Sequence, residues 1–186
     1  MTTVETKESA FPLTRGRTKG YAPAEVDAFI SRARVAFEEG EEPIGSSEVR
    51  QVAFPLVRGG YSIAAVDAAL GRIEDAFAAR EREAAVARGG VSEWVGQTRE
   101  TAQVVLDRLS RPRRSRFARV SALRYGYRVE EVDLVADKLS TYLQTGESVT
   151  VEQVRGVAFR MQRGGYREAQ VDAVLDAVVE VMLAVE

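Results

Sequence analysis

The chain has 186 residues, of which 45% are hydrophobic, a content typical of one folded domain or two small ones. Its 26 basic and 28 acidic residues give a formal charge of -2, so no global field draws it to nucleic acid or to an anionic membrane. Because Cys and His are absent, Ser-His-Asp and Cys-His catalytic sites are excluded, as are the usual nitrogen and sulfur ligands of zinc, haem and iron-sulfur clusters.

Membrane insertion and secretion are not indicated either. No apolar run approaches the ~20 residues that a membrane-spanning helix needs. The first residues, MTTVETKESAF, carry neither a signal-peptide core nor a basic amphipathic face. We therefore expect a cytoplasmic protein with no cofactor and no metal.

A short motif recurs four times: Gly-Tyr, four further residues, then Val-Asp. The copies are GYAPAEVDAF from Gly20, GYSIAAVDAA from Gly60, GYRVEEVDLV from Gly126 and GYREAQVDAV from Gly165. The second and fourth share a longer frame before the motif, while the first and third have a Phe nine residues before the Gly, at Phe11 and Phe117. The pattern indicates a pair of repeats that was duplicated as a pair.

Each motif predicts a loop that enters an amphipathic helix. The Tyr and the Val five residues later have the spacing of a hydrophobic staple, and the Gly suits a positive φ or a close backbone approach. Apolar residues then follow with a period of 3.6. The four predicted stripes are Val26, Phe29, Ile30, Ala33 and Phe37; Val66, Leu70, Ile73 and Phe77; Val132, Val135, Leu139, Tyr142 and Leu143; and Val171, Val174, Val178 and Met182.

The helix ends also carry signals. Gly40 and Gly146 are expected to stop the first and third helices, and Ser47 and Thr150 to cap short helices before the second and fourth motifs. No segment alternates apolar and polar residues as a strand does. The predicted fold class is therefore all-α.

One further amphipathic helix is predicted over residues 92–109, as a connector between the halves. Its only Trp, Trp94, lies on the apolar stripe, where it serves either as a core residue or as an anchor for a partner. The run RPRRSRFAR, from Arg111 to Arg119, follows as a basic hinge. It predicts phosphate contacts, docking on acidic faces of its own chain in an autoinhibitory arrangement, or a solvated hinge.

A Phe, a short loop, Gly-Tyr and a Val-Asp helix together resemble the N-terminal domain of the DivIVA and GpsB family of Gram-positive cell-division and polar-growth proteins. The resemblance covers most of the chain outside the connector and implies helix-loop-helix repeats that dimerise. No sustained heptad tail follows any repeat here, unlike in that family. We therefore expect the first repeat to pair with the second and the third with the fourth, as two pseudo-dimeric halves.

This interpretation divides the chain into four parts. Residues 1–10 are a flexible tail, residues 11–88 the N-terminal repeat pair, residues 89–112 the connector helix and basic hinge, and residues 113–186 the C-terminal repeat pair. Self-association of the chain is left open.

The resemblance implies two binding modes, of which the first is membrane contact through an exposed aromatic and an Arg just before Gly-Tyr. Only Tyr125 stands where such an aromatic would insert, which predicts weak or absent peripheral association with the inner face of a membrane. The residues predicted to contact lipid or phosphate are Arg58, Arg124, Tyr125, Arg163, Arg113, Arg114 and Arg116.

The second mode is the binding of an Arg in a partner's cytoplasmic tail by the Gly-Tyr tyrosine, the Val-Asp aspartate and an aspartate one turn later. The full sets are Tyr127, Asp133 and Asp137, and Tyr166, Asp172 and Asp176. In the first two repeats Ser31 and Gly71 stand in the last place. Aspartates four residues apart share a helix face and suit a guanidinium. The same aspartates also fit a purely structural role, in pairing with a nearby Arg or in favouring the helix dipole.

From the residues and the resemblance we expect a non-enzymatic scaffold or adaptor that binds proteins, such as Arg-containing tails of cell-division or cell-wall proteins. A nucleic-acid-binding protein that uses residues 111–119 is the alternative. An enzyme would have to work with Asp, Glu, Tyr, Ser or Lys alone and without a Walker or GxGxxG loop, and no catalytic residue or small-molecule substrate is predicted.

Overall fold

The computed structural model describes residues 9–39, 44–146 and 148–185, so most of the predicted tail 1–10 and Gly40 lie outside the described residues. The chain forms two compact units, Met1–Glu81 and Arg82–Glu186. In chain order the elements are β1 (Lys19–Tyr21), α1 (Pro23–Glu39), α2 (Ser46–Gln51), β2 (Leu56–Arg58), α3 (Ile63–Gly89), α4 (Val91–Leu109), β3 (Tyr125–Tyr127), α5 (Val129–Thr145), α6 (Val151–Arg155), β4 (Met161–Arg163) and α7 (Glu168–Val185).

The chain is mainly helical, which agrees with the predicted fold class, and each unit also contains a small antiparallel sheet that was not predicted. In the first unit β1 pairs with β2, so that Gly20 lies opposite Val57. In the second unit β3 pairs with β4, and Gly126 lies opposite Gln162. Strands of three residues are too short to show the alternation that reveals a strand in a sequence.

The tyrosines of two Gly-Tyr segments bind each other through the backbone in each unit. Tyr21 N donates to Tyr61 O at 3.0 Å, and Tyr61 N donates back to Tyr21 O at 2.8 Å. Tyr127 and Tyr166 exchange the same two bonds, at 3.0 and 2.9 Å. The two tyrosines of each unit thus make the same backbone contact with each other in both directions.

This exchange explains the glycine before each tyrosine. A Cβ on Gly126 would lie 2.2 Å from Tyr166 O, and a Cβ on Gly20 would lie 2.1 Å from Tyr61 O. Of the two reasons predicted for these glycines, the close backbone approach applies and the positive φ does not.

Two of the predicted helix ends are found, at Thr150 and Gly146. Pro23 opens α1, where its missing N–H costs nothing. Thr150 caps α6, since its side chain accepts a hydrogen bond from Gln153 N at 3.2 Å, and Gly146 ends α5 in the left-handed conformation, with φ 72°. The predicted cap Ser47 is wrong: Ser47 lies inside α2, whose cap is Gly45, two residues earlier, and Gly45 N donates to Glu48 Oε2 at 3.0 Å.

The predicted stripes supply the cores. Val26, Tyr61 and Val66 form one buried cluster of the first unit, with Tyr21 packed against it. In the second unit the cluster consists of Phe117, Val129, Val132, Tyr166 and Val171, with Tyr127 packed against it. The tyrosines and valines of the predicted staples therefore share a core in each unit.

The predicted helix over residues 92–109 is found as α4 and belongs to the second unit, where it packs against α5 and α7. Trp94 is half-buried and donates from Nε1 to Ala184 O at 3.2 Å. Within the described residues, no helix is long and apolar enough to span a bilayer.

Candidate functional site

In the second unit each tyrosine hydroxyl binds the aspartate of the other Gly-Tyr segment. Tyr166 donates to Asp133 Oδ1 at 3.1 Å, and both side chains are buried. Tyr127 is hydrogen-bonded to Asp172. The tyrosines are thus exchanged relative to the predicted sets, because the reciprocal backbone bonds between Tyr127 and Tyr166 bring each Gly-Tyr turn next to the other segment's helix.

The face made by Asp133, Asp137 and Tyr166 already holds an arginine of the same chain. Arg116 is only 5% exposed, and its guanidinium donates to Asp133 O at 2.7 Å and, on another edge, to Asp137 Oδ1. Its Nε donates to Arg111 O at 2.9 Å. The planar guanidinium is therefore hydrogen-bonded on three edges, to two backbone carbonyls and to the Asp137 carboxylate.

Two neighbouring arginines join this contact from the outside. Arg113 Nε donates to Asp137 Oδ2 at 2.8 Å. Arg114 donates its backbone N–H to Asp133 Oδ2 at 2.7 Å, and its side chain lies 3.5 Å from Glu130 Oε1. Arg114 is in the left-handed region, with φ 69°, which costs a residue with a Cβ about 1 kcal/mol or more. The bond to Asp133 holds it there.

The two acidic faces of the second unit differ in their electrostatics. Burial raises the pKa of Asp137, but hydrogen bonds and charges from Arg116 and Arg113 outweigh burial and hold that pKa below its usual range. At Asp172 burial is again the largest influence, and it raises the pKa. The hydrogen bond from Tyr127 lowers the pKa there, while Asp176 and Glu168 raise it further, so the net shift is upward. A cation placed at Asp172 would relieve this unfavourable charge.

In the first unit, too, each tyrosine binds the aspartate of the other motif; we call these crossed Tyr–Asp pairs. No second aspartate follows one turn later in either helix. Tyr61 donates to Asp27 Oδ2 at 3.2 Å, and Tyr21 is hydrogen-bonded to Asp67, whose pKa is raised by burial. Ser31 and Gly71 stand one turn later. These faces offer a guanidinium one carboxylate each.

The residues predicted to contact lipid or phosphate fall into two groups. Arg113, Arg114 and Arg116 are engaged with carboxylates, as the contacts above describe. The others, Arg58, Arg124, Tyr125 and Arg163, are exposed on the strands or at their ends. Tyr125 is 56% exposed, with the Arg163 guanidinium 5.6 Å from its ring centre.

One exposed residue of this loop was missed by the sequence analysis. Leu123 is 85% exposed, two residues before Tyr125. It belongs to no periodic stripe, and its exposure is set by the turn that the loop makes. Together with Tyr125 it adds apolar surface to a basic loop.

Neither the scan of protein-family models nor the searches of curated proteins and solved structures gave a match for this chain. Across the parts of the chain that the structure describes, no group of three or more Asp or Glu side chains is arranged to hold a metal ion.

Proposed function

We propose that the protein is a non-enzymatic, DivIVA-like scaffold or adaptor that binds arginine-bearing segments of partner proteins, such as cytoplasmic tails of cell-division or cell-wall proteins. Its four Gly-Tyr segments are, in this proposal, four repeats that form two pseudo-dimeric halves. The reciprocal tyrosine bonds and the crossed Tyr–Asp pairs support this reading.

One observation carries the proposal: the face of Asp133, Asp137 and Tyr166 holds the Arg116 guanidinium. In this contact the Asp137 carboxylate accepts from Arg116, while Asp133 accepts through its backbone carbonyl at 2.7 Å and places a carboxylate oxygen 3.7 Å from the guanidinium. The same residue types recur at Tyr127, Asp172 and Asp176. We assign the partner's arginine to this second face, because burial and the charges of Asp176 and Glu168 raise the pKa of Asp172 there and a cation would offset them.

A labelled peptide with the sequence of residues 111–119 tests the assignment, because arginines of this segment bind an aspartate in the structure. Its binding to the full chain is measured by fluorescence anisotropy. We expect Asp172→Asn to weaken binding at least tenfold, and Glu180→Gln, at an exposed position of the same helix, to leave it unchanged. Replacing the peptide's arginines with lysines should also weaken binding, since a Lys cannot form the bidentate contact.

Equal binding to the wild type and to Asp172→Asn would refute the assignment to this face. Binding abolished by Asp133→Asn alone would instead mean that the peptide displaces its own copy in the chain.

Membrane association, in this proposal, is weak and peripheral. The nucleic-acid alternative depends on residues 111–119, three of whose arginines contact carboxylates. A salt titration of DNA binding separates it from the adaptor, because contacts with phosphates give a steep dependence on salt.

A further inference from the structure

The first unit has an open apolar groove between α1 and α3. Its volume is about 400 Å3, and its floor includes Phe11, Ile30, Ala33, Ile73 and Phe77. Phe37 lies at its edge and is 41% exposed. Apolar surface gathered in a concave site of this kind is typical of places where another molecule binds.

The second unit contains the corresponding surface, and there it is covered. Aligning the motifs at Gly-Tyr matches α1 with α5 and α3 with α7. Helix α4 packs on α5 and α7 and buries Val105 and Leu109, which are 4% and 1% exposed. The remaining space beside Leu109 is only about 10 Å3.

Matched positions of the two units differ in exposure because α4 covers those of the second. Ser140 is 8% exposed and its hydroxyl lies 3.3 Å from that of Ser110, the residue that ends α4. The position that matches Ser140 in the first unit is Arg34, whose side chain is 76% exposed. Likewise Val181 is 6% exposed, whereas its counterpart Ala76 lies exposed on the groove lining.

We propose that the α1–α3 groove is a docking site for an amphipathic helix of a partner protein that resembles α4, with two aliphatic residues four positions apart in its last turns. Such a helix in the pose of α4 would bring its C-terminal carbonyls to Arg34, and a cation stabilises that end of a helix. Arg72 also lines the groove, as does Glu38, which binds Arg34 at 2.8 Å, so the basic residues outnumber the acidic one on this lining by two to one.

The occupant is a different protein rather than a second copy of this chain. The chain's own helix of this type, α4, already buries its apolar side in the second unit. The inference rests on the proposed equivalence of the repeats, but the groove is separate from the acidic face around Asp172, so failure of arginine binding at that face would leave it standing.

The isoleucines of the chain make the test selective. There are four, at positions 30, 44, 63 and 73, and all belong to the first unit. The full chain is labelled with 13C at the isoleucine methyls and titrated with a synthetic peptide of residues 91–110. We expect the methyl signals of Ile30 and Ile73 to shift, while Ile63, which does not line the groove, serves as the internal reference.

Two matched variants and a second peptide complete the design. Ala76→Arg places a charge on the groove lining at an exposed helical position and should weaken binding at least tenfold. Ala68→Arg, exposed on the same helix outside the lining, should have no effect. The signal of the buried Ile44 reports whether each variant remains folded. A peptide with both Val105→Asp and Leu109→Asp should not bind.

Three results would overturn the proposal. The first is a titration in which neither Ile30 nor Ile73 shifts, and the second is binding that Ala76→Arg leaves intact. The third is a shift that depends on the concentration of the chain alone, with a dimer in sedimentation that Ala76→Arg abolishes; this would assign the groove to a second copy.

Discussion

The hydroxyl of Tyr166 donates to Asp133, 33 residues earlier in the chain and at the start of the other motif's helix. Asp133 also accepts from the backbone of Arg114 and lies 3.7 Å from the Arg116 guanidinium. One buried carboxylate therefore links a Gly-Tyr turn, a helix and the basic segment. Most of the predictions below concern this link.

Removing the Tyr166 hydroxyl should destabilise the second unit. Asp133 would lose a buried donor, so Tyr166→Phe should lower the free energy of unfolding by about 1.5–3 kcal/mol. The matched variant Tyr127→Phe should cost less than about 1 kcal/mol, because Asp172 is only half-buried and water can replace the hydroxyl. Urea denaturation followed by the fluorescence of the single Trp, Trp94, measures the second unit directly. Equal losses in the two variants would contradict the prediction.

Tyr166 should also make stability fall at alkaline pH. Burial, together with the Asp133 charge, raises its pKa from 10.0 to about 12. Since the folded-state pKa is the higher one, the stabilisation is fully present below pH 10 and is lost as the pH rises towards 12. Urea denaturation of the wild type at several pH values in this range should show the loss, and Tyr166→Phe should show a smaller one. The same fall of the unfolding free energy with pH in the wild type and in Tyr166→Phe would contradict the prediction.

Arg116 should matter far more to stability than Arg113, although both contact Asp137. Arg116→Ala leaves Asp133 and Asp137 without their buried counter-charge and should cost about 3–5 kcal/mol. The Arg113 side chain is 67% exposed, so solvent screens its contact and Arg113→Ala should cost less than about 1 kcal/mol. Trp94 fluorescence during urea denaturation compares the two variants. A small effect of Arg116→Ala would mean that the segment is only loosely docked.

The close approach at Gly126 predicts a specific intolerance. A Cβ there would lie 2.2 Å from Tyr166 O, and because the obstacle is backbone, Gly126→Ala should cost at least about 2 kcal/mol. In contrast, Gly96 lies within α4, and its Cβ would meet nothing within 4 Å. Gly96→Ala should therefore stabilise the unit by about 0.5–1 kcal/mol. Thermal unfolding followed by circular dichroism distinguishes these opposite signs, and a tolerated Gly126→Ala would argue against the reciprocal tyrosine bonds.

The loop around Tyr125 should account for whatever membrane affinity the protein has. Leu123 and Tyr125 are 85% and 56% exposed beside Arg124, and each nearby Arg adds about 1 kcal/mol at an anionic surface. In flotation with anionic vesicles at low salt we expect weak binding, which the double variant Leu123→Ser, Tyr125→Ser should abolish. Leu134→Ser, at another exposed leucine, is the control and should bind like the wild type. Equal flotation of all three proteins would exclude this loop.

The local pattern of the sequence was enough to predict the helices and several of their ends. Periodic apolar residues predict α1, α3, α5 and α7, and capping chemistry at Thr150 and Gly146 predicts two helix ends, because these signals act within a few residues. The repeated Gly-Tyr indicated a turn that needs glycine. It did not show that the carbonyl oxygen of the partner tyrosine leaves no room there for a Cβ. The basic segment 111–119 and the pair of aspartates Asp133 and Asp137 could also be recognised in the sequence.

The tertiary structure decided which of these parts meet. The strands escaped prediction because three residues carry no readable period, and the exchange of Tyr127 and Tyr166 depends on contacts between distant segments. Arg116 is buried because the segment that precedes α5 packs against the acidic face of that helix, a contact that no local pattern predicts. The apolar groove of the first unit depends on how α1 and α3 pack against each other. Secondary structure follows from short-range hydrogen bonds and apolar periodicity, which can be read from neighbouring residues. Contacts between distant segments depend on the tertiary fold and cannot be read in that way.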